Sequence, residues 1–128
     1  MDFIAIIAAA AGAFVFGAVW YTAVNEKWME AAGLRRSDIE PVNYAKYGLA
    51  FVAAILAAGM MEHIFATSGT NSWHGGLVGG IGIGLFLAAP WMVVNHSFSK
   101  RPVSLMVIDG IYSVGGCAVI GLILGLFG

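Results

Sequence analysis

Charged side chains are scarce in this chain. Asp, Glu, Lys and Arg make up 10% of its 128 residues, against about 25% in an ordinary soluble domain. Apolar residues make up 60%, more than a soluble domain this small can hide from water. The net charge of −1 carries no electrostatic signature of a nucleic-acid partner. The single cysteine, Cys117, forms no intrachain disulfide and reads as a small packing residue. No Lys or Arg precedes the first apolar run, which continues to Val24; this argues for a retained helix rather than a cleaved leader. Strands of alternating polarity are missing, which argues against a β-barrel. No H-x-x-x-H, H-E-x-x-H or C-x-x-C spacing occurs, so no metal or other cofactor is expected.

What the chain does have is four apolar runs of membrane-spanning length, at about 3–24, 44–67, 73–95 and 103–127. A hydrocarbon core about 30 Å thick needs roughly 20 residues of helix, and backbone in lipid must satisfy its own hydrogen bonds. The reading is an all-α integral membrane four-helix bundle in a single domain. Its connectors are 25–43, 68–72 and 96–102. Lys27, Arg35, Arg36 and Lys46 lie in or beside the first connector, and Lys100 and Arg101 in the third. Four spans put both connectors on one side, which the positive-inside rule makes cytoplasmic, so both termini are expected outside.

The first connector carries a capping box, Ser37-Asp-Ile-Glu40, followed by Pro41, and predicts that the second helix starts near Ser37. Residues 26–34 read as a short interfacial helix with Trp28 and Met29 toward lipid. Trp20, Tyr21, Trp28, Tyr44 and Tyr47 form an expected aromatic belt at this face, with Trp73 marking the other. Small residues recur at four-residue spacing, notably Gly76, Gly80 and Gly84 on the third span and Gly121 and Gly125 on the fourth. Such spacing lets helices approach closely. It serves either packing within one bundle or a homo-oligomer seam, for which the third span is the candidate. Pro90 is expected to kink that span.

Ionisable groups at membrane depth are candidate functional residues. Asp109 lies six residues into the fourth span, roughly 9 Å along the helix. Tyr112, Ser113 and Gly116 share its face. Asn95 and His96, with Lys100 and Arg101 beside them, end the third span within reach of it. Two roles are open for this set: a structural hydrogen bond between helices, or a site for a proton, an ion or a lipid headgroup. Near the other surface, Glu62, His63 and His74 form a polar cluster with no ligand spacing of its own.

Residues 17–21 (Gly-Ala-Val-Trp-Tyr), Lys27-Trp-Met29 and Gly33 resemble the opening of the membrane family called domain of unknown function 1761. Asn95-His-Ser-Phe98, Lys100-Arg-Pro102 and Ile108-Asp-Gly-Ile-Tyr112 resemble its closing stretch. The resemblance implies a small four-helix protein of the bacterial inner membrane, with no established activity, and singles out Trp20, Tyr21, Asn95, Asp109 and Tyr112. Two functions follow as expectations. One is a homo-oligomer handling a proton, ion or lipid through the Asp109 face. The other is an accessory subunit docked on a larger membrane complex through the glycines of the third span. No nucleophile–base motif argues for an enzyme.

The orientation has a direct check. On a Cys117→Ala background, single cysteines introduced as Thr70→Cys and Ser97→Cys should react with an impermeant thiol reagent from opposite sides of the membrane. Reaction from the same side would contradict the four-span reading.

Overall fold

The computed structural model describes residues 2–35 and 44–128. The chain is all-helical among them, with five helices. These are α1 (Phe3–Ala23), α2 (Asn25–Ala32), α3 (Tyr44–Ser68), α4 (Trp73–Phe98) and α5 (Val103–Phe127). All but α2 are long and apolar enough to cross a membrane. Large apolar side chains stand exposed on their outer faces, with Leu56 69% and Phe86 75% accessible, an arrangement suited to lipid rather than water. The chain is a multi-pass membrane protein. The capping box at Ser37–Glu40, with Arg36 and Pro41, lies outside the described residues.

The helix ends follow from local chemistry. Asp2 caps α1 by accepting from the Ala5 amide at 3.1 Å, and Ser72 caps α4 by accepting from the Gly75 amide at 3.1 Å. The α2 helix stops at Gly33, which turns left-handed (φ 71°) while Leu34 N–H donates back to Met29. At the end of α4 the same reversal occurs, with Arg101 N–H donating to His96 and Lys100 N–H to Ser97. Here the left-handed position is Lys100, φ 58°, a conformation that favours glycine. Pro102 then starts α5.

Helix α5 is the centre of the bundle. It packs along α4 and α1, and α1 in turn carries α3. The α4–α5 seam is made by glycines. A Cβ at Gly76 would strike the carbonyl oxygen of Gly121, one at Gly80 the carbonyl of Cys117, and one at Gly125 the carbonyl of Ser72. A Cβ at Gly84 would meet the Val114 Cα. Without side chains in the way, the two backbones touch, which supplies the van der Waals contact that replaces the hydrophobic effect in lipid. The glycines expected to offer a seam to another copy or a partner are therefore occupied within the chain. On the other side, the buried Ala5, Ala9, Ala10 and Ala13 let α1 sit close to its neighbours, with Phe65 of α3 and Leu124 of α5 in the same core.

Pro90 perturbs α4 one turn before itself. Residues Gly84–Ala88 form a π-helical turn, and the Ala89 N–H reaches back five residues to Gly84. The widened turn accommodates a ring that cannot donate and crowds the carbonyl four residues earlier. The third span remains continuous. Beyond this turn none of the α4 residues from Ala89 to Phe98 is buried. The bundle is thus dense at the end bearing the 68–72 hairpin and looser at the end bearing α2.

Gly76→Leu and Gly121→Leu should each destabilise the fold by about 1–3 kcal/mol or more through overpacking. Gly82→Ala, where nothing stands within 4 Å, should not. Chemical unfolding in detergent followed by circular dichroism checks this; equal stability of all three variants would contradict a backbone-to-backbone seam.

Candidate functional site

The looser end of the bundle holds Asp109 and the side chains that reach it. Asp109 sits on the second turn of α5, and two other helices reach it. Tyr21, near the end of α1, donates its hydroxyl to Asp109 Oδ1 at 2.5 Å. His96, near the end of α4, places Nε2 2.7 Å from Oδ2. Each carboxylate oxygen therefore has its own partner, and both His96 and Asp109 remain one-fifth exposed. A carboxylate at membrane depth costs about 2.5–3.5 kcal/mol. Hydrogen bonds to both of its oxygens offset that cost.

Neighbouring residues fix this geometry. The Trp20 indole donates to the Ile108 carbonyl at 3.0 Å, locking the end of α1 to the turn of α5 that carries Asp109. Tyr112 packs edge-on to Tyr21 with centroids 5.3 Å apart, and lies parallel to Phe16 at 6.5 Å. Its ring occupies the space a side chain at Gly17 would fill. Ser113 turns back to its own helix, donating to the Asp109 carbonyl at 3.0 Å. Trp28 of α2 meets the other edge of Tyr21, at 6.1 Å.

Helix α2 folds back over the start of α5. Met29 is buried and Trp28 half-buried. The expectation that both face lipid is therefore corrected: once α2 returns across the bundle end, its apolar side meets protein. Arg101 clasps it, its guanidinium donating to the Ala32 carbonyl at 3.2 Å, a favourable place for a cation at a helix C-terminus. Between α2, the end of α4 and the start of α5 lies a cleft of about 260 Å³. Trp28, Leu34, His96, Arg101, Leu105 and Asp109 line it. The ion pair thus faces a space that a small ligand or water can enter.

The expected set is only partly assembled. His96 reaches Asp109, and Tyr112 buttresses Tyr21 rather than bonding the carboxylate. Asn95 is exposed, and its backbone carbonyl accepts from Ser99. The belt also divides: Tyr44 and Tyr47 are exposed while Trp20 and Tyr21 turn inward to hydrogen bonds. At the hairpin end, Glu62, His63 and His74 do not converge as a ligand set, and among the described residues no three metal-ligating side chains do. His74 lies against Trp73 at 5.2 Å. The parts that sequence reasoning missed are the Tyr21–Asp109 bond, Trp28 as a cleft wall and the Arg101 clasp. Each spans a long sequence separation that helical periodicity does not carry.

Tyr21→Phe should destabilise the protein by about 1–2 kcal/mol yet add nothing to Asp109→Ala, since the bond is already gone. Unfolding of the two singles and the double variant in detergent tests this; additive losses would contradict the bond.

No curated protein and no solved structure matches the chain. The family described as "Protein of unknown function (DUF1761)" matches residues 4–125. With nearly its whole length inside that match, the chain belongs to the DUF1761 family.

Proposed function

We propose that this is a small inner-membrane protein, with both termini on the non-cytoplasmic side, that takes up a proton or small ion at His96–Asp109–Tyr21 from the cytoplasmic surface. The observation that carries the reading is the position of the ion pair. Both carboxylate oxygens of Asp109 are hydrogen-bonded, yet the pair lines an open cleft. A staple between helices needs no access; a group that exchanges protons does.

The chemistry follows from the pair. Moving a proton along the 2.7 Å contact between His96 and Asp109 leaves the net charge of the site unchanged. A proton entering from the cleft changes it by one unit, and so changes the attraction for an ion next to Arg101. The carboxylate keeps the imidazole oriented. The six basic residues of the sequence lie in or beside the first and third connectors, which favours the cytoplasmic assignment. At the opposite end the glycine seam closes α4 against α5, so the cleft is expected to face one surface.

Asp109→Asn preserves the size of the side chain and removes its charge. In liposomes loaded with a pH-sensitive dye, wild-type protein should give a proton signal that this variant loses, while its helical content and detergent elution remain unchanged. A variant that is folded and equally active would refute the reading.

A further inference from the structure

Helix α2 has two edges, and the second also borders a groove. This groove is about 550 Å³ and shares no lining residue with the cleft at Asp109. Lys27 and Glu30 contribute from α2; Ser104, Val107 and Ile108 contribute from the first turns of α5. We propose that it binds the headgroup of a zwitterionic phospholipid of the phosphoethanolamine class, with an acyl chain running down α5.

Charge and shape argue for that occupant. Lys27 and Glu30 are three residues apart on one helix, a spacing at which opposite charges commonly pair. Here no side chain among the described residues pairs with either, and both face the groove. One cation and one anion, a helical turn apart, match a headgroup that carries a phosphate and an ammonium. Lys27, with the Ser104 hydroxyl opposite, takes the phosphate as a charge-assisted donor. Glu30 takes the ligand's ammonium, which has three N–H donors to give. A trimethylammonium head has none, and a glycerol head would bring its net negative charge to Glu30 with no cation in return.

The rest of the lipid has a path as well. Val103, Val107 and Ile111 follow one another at i, i+4 and i+8 on α5, and they are 71%, 55% and 44% exposed. This apolar stripe leads from the groove along the membrane-spanning part of the helix. The groove lies between α2 and the first turns of α5, at the start of an apolar span, the level at which a headgroup sits beside a membrane-spanning helix. The proposal stands apart from the proton-handling reading, since the two sites use different residues.

Native mass spectrometry of the delipidated full-length protein, titrated in detergent with dioleoyl phosphatidylethanolamine, phosphatidylcholine or phosphatidylglycerol, tests it. Phosphatidylethanolamine should bind at one molecule per chain and more tightly than the other two. Lys27→Gln should weaken it about tenfold, and Glu30→Gln should erase its advantage over phosphatidylcholine. Asp109→Asn should bind it as wild type does, which separates this site from the other. Equal binding of the three lipids, tighter binding of phosphatidylglycerol by the wild type, or a preference that survives Glu30→Gln would overturn the proposal.

Discussion

A carboxylate within a membrane span must find partners for both of its oxygens, and the open end of this bundle is organised around meeting that demand. Asp109 lies on the central helix, and its partners come from α1 and α4, the two helices that flank it. The hydrogen bonds therefore tie three spans together where small-residue packing has run out. Trp20 adds a third tie, from α1 to the backbone of the same turn of α5. Take away the carboxylate, and Tyr21 and His96 each lose the partner that sets their position.

The two ends of the bundle use different physics. Toward the hairpin, glycine and alanine bring backbones into contact, with apolar side chains such as Phe65 and Leu124 filling the core beside them. Toward α2, the helices are spaced by rings: Phe16, Tyr21, Tyr112 and Trp28 fill the gaps in edge-on and stacked pairs. Aromatic side chains with polar tips suit this level of a membrane, since they pack and hydrogen-bond at once. The π-helical turn before Pro90 sits at the change from one regime to the other, and from there α4 leaves the core and brings His96 to Asp109. Rigidity at one end and access at the other are what a binding site on a small bundle requires.

Much of this was legible in the sequence, and for identifiable reasons. Spans are set by hydropathy over about 20 residues, so the four helices were readable to within a few positions. The glycines of α4 and α5 announced a close seam by their spacing, although spacing alone does not say whether the second helix belongs to the same chain. Asp109 stood out because a charge inside an apolar run is rare, and His96 because the short 96–102 link keeps it nearby. Tyr21 is 88 residues from Asp109, and no local pattern reports such a distance. Trp28 and Met29 misled because an amphipathic segment beside a membrane reads as lipid-facing unless a protein surface is known to receive it. Asn95 looked equivalent to His96, but adjacent residues on a helix point about 100° apart, and only one of them faces α5.

The sharing of the Asp109 carboxylate is open to direct measurement in a bilayer. With 13C-labelled aspartate and 15N-labelled histidine, dipolar recoupling in solid-state NMR should show a short contact between the Asp109 carboxyl carbon and His96 Nε2. That signal should vanish in His96→Gln. A well-folded sample without the contact would show that the carboxylate does not join α4 to α5, and the organisation described for this end of the protein would fail.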